Sequence, residues 1–341
     1  MKPWSGLEFV NFNNHEDWLE QRQRIGVGGS ESASILGLSP YSCSAQVFYQ
    51  KLGLASKKHT SLAMIIGNED EDKISRLWSH YDANIGIDSI PLNYQAKNVI
   101  RKPMKLSRII RNPKYPYLFA NPDRLFKQGK DRAVLEIKTI NHWEAQKWES
   151  GVPIHYIIQI QHYMLVCEVK YAELAILESN SKIDVIPFET SREIQERIIE
   201  KVNSFWNDVI EARKILDAGG IELDIQHLVP SPDGSSAYTE FLKDRYKEST
   251  PNEEQQIVTA SMDDFGNLAE FIKLKQEQEE LERKISLREQ LLRERMAEAA
   301  VLDFGDKVGK ITWRSDKNGK RTFKTAGIRK DIVLSGVVEE S

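Results

Sequence analysis

Cysteine is almost missing from this 341-residue chain, which has only Cys43 and Cys167. Two thiols cannot build a disulfide framework, a four-cysteine zinc site or a wholly cysteine-ligated iron–sulfur cluster, and such low usage fits a reducing compartment. Long apolar runs are missing too. Nothing approaches the roughly 20 residues that cross a bilayer, and the opening MKPWSGLEFVNF has no apolar signal segment, so no membrane role is expected and the location is expected to be cytoplasmic. Nor is there an excess of positive charge. Lys and Arg number 47 against 51 Asp and Glu, a net charge of −4, so any surface for a polyanion has to be a local patch. No internal repeat is visible. What is present is ordinary for a globular protein, 40% hydrophobic and 29% charged residues, in a chain long enough for about two domains with a full core.

Along the chain, Gly26, Gly28 and Gly29 read as a tight turn, after which Ser30 and Glu31 start a short helix that ends near Gly37. Ser39-Pro40 reads as the opening of the next helix, over 43–53, and residues 62–81 carry Ile66, Ile74, Leu77 and Trp78 at helical spacing. IGIDSIPL (85–92), YLFANPDRLF (117–126) and RAVLEIKTI (132–140) read as β runs, the last two joined by a QGKD turn. A buried helix over 154–168, strands over 171–178 and 182–188, and an amphipathic helix over 191–217 follow. The reading divides the chain into a core over 1–217, a linker with one short helix over 218–262, and an extension over 263–341. The extension consists of a long charged helix (263–300), whose apolar stripe is broken at Arg288, and a basic hairpin (307–324) turning at Asn318-Gly319.

The sharpest local signal is residues 121–139. An Asp lies in one β run and a Glu-x-Lys triplet in the next. In a strand, residues i and i+2 share a face, so Glu136 and Lys138 project together while Leu135 and Ile137 point into a core. If the two runs pair as a hairpin, Asp123 approaches Glu136. Two carboxylates are ligands for a hard Mg2+ or Mn2+, and a neighbouring ammonium can hold a water in its reactive form, the parts phosphodiester hydrolysis needs.

Pro122-Asp123 followed by Glu136-x-Lys138 resembles the PD-(D/E)XK nuclease superfamily. Further segments resemble its lambda-type exonuclease, or YqaJ-like viral recombinase, branch: Arg24-Ile-Gly-Val-Gly-Gly-Ser30-Glu31, Ile35 to Tyr41, Gly67-x-x-x-Glu71-x-x-Ile74, Ala120 to Asp123, Leu135 to Thr139, and Gln159-Ile-Gln161-His-Tyr163-Met164, with Trp143 and Pro153 at familiar places. Order and spacing fit over residues 18–212. The resemblance implies an α/β (α+β) restriction-endonuclease-like core, a small mixed sheet flanked by helices, to which this chain adds its C-terminal helix and hairpin. It implies that Glu71, Asp123, Glu136 and the Ile137 carbonyl bind metal, as two Mg2+ (or Mn2+) ions per site. It implies that Lys138 orients the attacking water, that Gln159 or Gln161 positions water or DNA with Tyr163 completing the motif, and that Arg24 and Ser30 hold the 5′-phosphate of a DNA end, as suits a guanidinium and a hydroxyl. The implied activity is a 5′→3′ exonuclease on linear double-stranded DNA that leaves a 3′ overhang for phage-type recombination. The implied partners are duplex DNA ends, further copies of the chain in a ring (a trimer first) and a single-strand-annealing protein, in a phage or prophage setting in a bacterial host.

Two alternatives stand beside this: an endonuclease or flap nuclease of the same fold, and a non-catalytic DNA-binding or assembly protein working through its tail. The glycines lack the Gly-x-x-x-x-Gly-Lys-Ser/Thr pattern of a nucleotide loop, and His142, His155 and His162 match no zinc spacing. The acid-free basic run 101–114 is read as a DNA contact in preference to a solvated connection, and hairpin 307–324 as a DNA or subunit contact.

Overall fold

The computed structural model describes residues 6–55, 61–91, 99–148, 151–247, 257–329 and 333. The chain forms two compact units, Met1–Ser249 and Thr250–Ser341.

The first unit is built on a four-stranded sheet with the order β4 (Arg124–Gln128), β5 (Asp131–Ile140), β6 (Tyr171–Glu178), β7 (Lys182–Glu189). β4 and β5 form an antiparallel hairpin, β5 and β6 run parallel, and β6 and β7 form a second hairpin. The parallel step needs a crossover, supplied by α5 (His142–Lys147) and α6 (Ile154–Cys167). Alternation along β5 sorts its side chains. Ala133, Leu135 and Ile137 pack with Ile74 and Trp78 of α4 (Leu62–His80) on one face. Val134 and Ile140 join the larger core on the other face, with α6 and α7 (Arg192–Asp217). Glu136 and Lys138 share that second face, so a polar pair interrupts an apolar strand.

Around this sheet lie α1 (His15–Ile25), α2 (Gly29–Ile35) and α3 (Ser44–Leu52), and a small sheet of β1 (Glu8–Val10), β2 (Ile109–Arg111) and β3 (Phe119–Ala120). Helix starts are fixed by side-chain caps. Ser61 accepts the Met64 N–H ahead of α4, and Ser191 accepts the Ile194 N–H ahead of α7. A 3-10 segment, Glu222–Leu228, seats Ile225 fully buried in the main core, and Ala237 and Tyr238 of α8 (Ser236–Arg245) cover Cys43 and Ala45.

The structure corrects two expectations here. IGIDSIPL makes no strand: Gly86 turns into the left-handed region (φ 77°) with its N–H on the Asp82 carbonyl, and Ile87–Ser89 continue as a 3-10 turn, while Leu92 lies outside the described residues. Ser39-Pro40 opens no helix; α3 starts four residues later, with the Cys43 sulfur accepting the Gln46 N–H.

The second unit holds α9 (Met262–Met296) and a three-stranded antiparallel sheet of β8 (Val301–Asp303), β9 (Gly309–Ser315) and β10 (Arg321–Ile328), order β10-β9-β8. Asn318-Gly319 lies in the turn between β9 and β10, with Gly319 at φ 78°. Among the described residues, no helix is long and apolar enough to cross a membrane.

Candidate active site

The antiparallel register of β4 and β5 sets Arg124 across from Leu135, which brings Asp123, one residue earlier, level with Glu136. The ladder stops there. In its place the Asp123 carboxylate accepts the Ile137 N–H at 2.7 Å. N–H and C=O of one extended residue point to the same strand edge, so the Ile137 carbonyl also faces the edge that Asp123 occupies.

Glu136 is 1% exposed. Its Oε1 accepts from Lys138 Nζ at 2.5 Å and from Gln159 Nε2 at 2.6 Å, while its Oε2 is buried without a hydrogen-bond partner. Burial first, then the charge of Asp123, pushes the Glu136 carboxyl up to about 8. Burial also raises Asp123, against the pull of Lys138. Burial works against the Lys138 ammonium, but Glu136 and Asp123 outweigh it and hold the proton more firmly than usual. Glu71, on α4, reaches the same acids from the side. It is raised by burial and by Asp123. The buried guanidinium of Arg124 restrains it at 3.4 Å and also bonds Asp72 and the Asp123 carbonyl.

Among the described residues, no three His, Cys, Asp or Glu side chains converge closely enough to hold a metal ion by themselves. The donor set nevertheless fits a hard divalent cation. It offers the orphaned Glu136 Oε2, the Asp123 carboxylate and the Ile137 carbonyl edge, and Mg2+ typically takes one or two carboxylates and keeps several waters. Asp123 and Glu71 raise Glu136, and Asp123 raises Glu71, a repulsion that a cation would relieve.

Helix periodicity decides between the two glutamines. Gln159 and Tyr163, four residues apart, share the face of α6 that meets β5, and Gln159 also bonds the Tyr163 hydroxyl at 3.2 Å. Gln161, two residues on, points away. It donates to the Glu189 carbonyl and accepts the Ser191 N–H, tying α6 to the start of α7. Gln161 is thus a structural clamp, and the site role assigned to it is withdrawn.

The glycine turn is built against this face. A Cβ on Gly29 would lie 2.5 Å from the Tyr163 ring, and one on Gly26 (φ 150°) would lie 2.5 Å from the Tyr117 carbonyl oxygen. A cavity of about 360 Å³ is lined by Gln159, the residue that bonds Glu136, and by His155, Tyr156, Ser30 and Arg22 among others.

Arg24 does not line it. Its side chain is 71% exposed and pairs with Glu20 at 2.8 Å, because residues two apart on α1 face different ways. The cavity's guanidinium is Arg22, stacked over Trp18 at 4.5 Å and near Phe119 at 5.4 Å. Trp18 and Arg22 stand at i and i+4, a spacing that could have singled out Arg22. Beneath it, Lys51 is 2% exposed and pairs with Glu31 at 2.8 Å, and Glu31 also caps the Gly28 N–H at 2.7 Å. Burial pulls the Lys51 ammonium down to about 8, while Lys51 and Arg22 outweigh burial and keep Glu31 ionised.

Residues 17–170 match the YqaJ-like viral recombinase domain family. The chain is 29% identical over 290 residues to the uncharacterized protein YqaJ of Bacillus subtilis (strain 168), an alignment covering 84% of this chain and 79% of that protein. Among solved structures, an alkaline exonuclease of Laribacter hongkongensis in complex with dAMP is similar at 17% identity and a TM-score of 0.46, covering 60% of this chain and 97% of that one. A phage related exonuclease of Haemophilus somnus 129PT is similar at 12% identity and a TM-score of 0.38, covering 54% and 93%.

Most of the basic run 101–114 is paired with acids from other segments. Arg101 pairs with Glu173 at 2.7 Å, Lys105 with Asp72 at 3.3 Å, Arg111 with Glu8 at 3.8 Å and Lys114 with Glu168 at 2.5 Å. Lys102 and Arg108 have no ion-pair partner among the described residues. The histidines have separate partners: His142 meets Glu178, His162 sits between Ser32 and the Phe119 carbonyl, and His155 packs on Tyr41 and Tyr156. Trp143 is 74% exposed on α5.

Proposed function

We propose that this chain is a metal-dependent deoxyribonuclease that degrades the 5′-ended strand of linear duplex DNA and leaves a 3′ single strand for recombination. The observation that carries the reading is the contact set Asp123, Glu136, Lys138 and Gln159, with one buried carboxylate oxygen left unpartnered. Asp123, Glu136 and the Ile137 carbonyl would hold Mg2+, or Mn2+, with Glu71 closing the set once Arg124 yields it. The ion supplies charge neutralisation at the phosphate and a more acidic water. A second ion per site belongs to the same proposal.

The chain's own groups do the rest. Lys138, held by Glu136, aims its ammonium at the attacking water and at the phosphate charge that develops. Gln159 is fixed between Glu136 and Tyr163, so it presents a preset amide rather than a searching one. Arg22, in place of Arg24, and Ser30 receive the terminal 5′-phosphate in the neighbouring cavity, the planar guanidinium fork matching the phosphate oxygens. Water oxygen bonds to phosphorus, the bond to the 3′ oxygen breaks, and that oxygen takes a proton. A nucleoside 5′-monophosphate leaves, and the new water-derived bond stays with the phosphate that remains. A ring of several copies and a single-strand-annealing partner, both implied by the resemblance, complete the proposal.

A time course on linear duplex carrying a 5′-phosphate on one strand, with Mg2+ and with EDTA, tests it beside closed circular duplex. The expected result is metal-dependent loss of the phosphorylated strand with the circle intact. Cutting of the circle would replace the exonuclease reading with an endonuclease, and no cutting of either would remove the enzyme reading.

A further inference from the structure

The C-terminal sheet has two unlike faces. Ile311 (5% exposed), Trp313 and Phe323 lie on one face, where Arg293 of α9 stands 5.9 Å from the Trp313 ring and 4.9 Å from that of Phe323. Arg321 is spent on this side as well, bonding the carbonyls of Ala297, Ala299 and Trp313. Alternation sends Thr312 and Arg314 of β9, with Thr322 and Lys324 of β10, to the opposite face. The register sets Arg314 across from Thr322 and Thr312 across from Lys324.

Charge on this sheet is lopsided. Residues 301–329 hold eight Lys and Arg against three Asp, a local charge of +5 in a chain whose net charge is −4. Two of the three acids are already engaged. Asp303 pairs with Lys310 at 2.8 Å, and Asp316 accepts the N–H groups of Asn318 and Lys320 inside the hairpin turn. Arg314 and Lys324 are exposed and have no ion-pair partner among the described residues. They sit diagonally, about 7–8 Å apart at the backbone, with threonine hydroxyls between them and Lys317 and Lys320 beyond, at the turn. Among the described residues of β9 and β10, no aromatic ring stands on this face to stack on a base, since Trp313 and Phe323 point the other way. Such a surface suits the outside of a duplex, where phosphates are presented and bases are not.

We propose that this outer face binds the phosphate backbone of duplex DNA, through Arg314 and Lys324 with Lys317 and Lys320, without reading sequence. The inference goes beyond the nuclease reading and rests on it only in taking DNA as the polyanion.

The test uses the full chain with covalently closed circular duplex in EDTA. The circle has no ends for the Arg22 cavity and EDTA prevents cleavage, so the result is read independently of nuclease activity. Arg314→Ala with Lys324→Ala removes two phosphate contacts and should lower the slope of log affinity against log salt by about 1.8. Between 50 and 200 mM salt the wild type should therefore lose roughly 10-fold more affinity than the double variant. Arg314→Lys with Lys324→Arg should keep the wild-type slope. An unchanged slope in the alanine variant would overturn the proposal, as would an equal loss in the charge-conserving variant, which would place the effect in folding instead of charge. Binding of circular single strands but not of the circular duplex would overturn the assignment to duplex.

Discussion

Replacing Gly29 by alanine should disable the site while leaving the fold largely intact. The new Cβ would sit 2.5 Å from Tyr163 Cε1 and 2.9 Å from Cζ, where carbon contacts settle at about 3.5–4.0 Å. Roughly 1 Å of movement is required. Tyr163 is 6% exposed, and its hydroxyl accepts from Gln159, so the ring cannot swing clear without releasing Gln159 from its place on Glu136. Overpacking of this kind costs about 1–3 kcal/mol, and alanine returns up to about 1 kcal/mol through helix propensity at the start of α2. The net loss is about 0–3 kcal/mol, or at most roughly 12 °C in melting temperature for a domain of this size. A shift near 1 Å at reacting groups costs about 100-fold in rate. The assays are thermal melting and single-turnover cleavage of a labelled linear duplex. Wild-type cleavage in a folded Gly29→Ala variant would refute the chain of contact from the glycine turn through Tyr163 and Gln159 to Glu136.

Other consequences follow from the same geometry. Arg22→Ala should raise KM for 5′-phosphorylated ends relative to 5′-hydroxyl ends by 10-fold or more, on the scale of about 1.5–3 kcal/mol for a charged hydrogen bond, whereas Arg24→Ala should leave that ratio alone; steady-state kinetics on the two substrates decides. Lys51→Met leaves Glu31 without its 2.8 Å partner and should cost about 3–5 kcal/mol in denaturant unfolding, much of it recovered when Glu31→Gln is added. His162, buried between Ser32 and Phe119, has its pKa pushed down to about 4 by burial, against an ordinary 6.5. The unfolded chain therefore takes up this proton first. Its share of stability is whole above about 6.5 and is lost as pH falls toward 4, by roughly 3 kcal/mol. Unfolding measured across that range should show a shallower acid slope in His162→Gln.

The parts of this protein that were legible in its sequence are those set by short periods. Alternation placed Glu136 and Lys138 on one face of β5 and Leu135 and Ile137 on the other, and the strands after α6 and the hairpin turn at Gly319 followed from local pattern. What stayed hidden depended on where a helix face points in three dimensions. Gln161 and Gln159 look equivalent in a motif, but two residues on a helix separate them by slightly more than half a turn. Arg24 and Arg22 differ in the same way, and beyond the Trp18 spacing it is the distant Phe119 that marks Arg22 as the one in the cavity. The run 101–114 looked like free positive charge because its acids, Glu8, Asp72, Glu168 and Glu173, come from distant segments. Ile225 gave no signal because a single apolar residue in a short 3-10 turn has no period to read.

The central claim is that Asp123 and Glu136 hold a divalent cation while Lys138 acts on the water and phosphate. Its most direct test is to measure Mg2+ or Mn2+ affinity by calorimetry and single-turnover cleavage together, in the wild type, Asp123→Asn, Glu136→Gln and Lys138→Met. The account predicts that the two carboxylate variants lose both metal binding and cleavage, and that Lys138→Met binds metal yet cleaves at least 100-fold more slowly, within the range of about 10²–10⁴ for a positioned proton-transfer group. Wild-type cleavage by Lys138→Met, or unchanged metal affinity in both carboxylate variants, would contradict it.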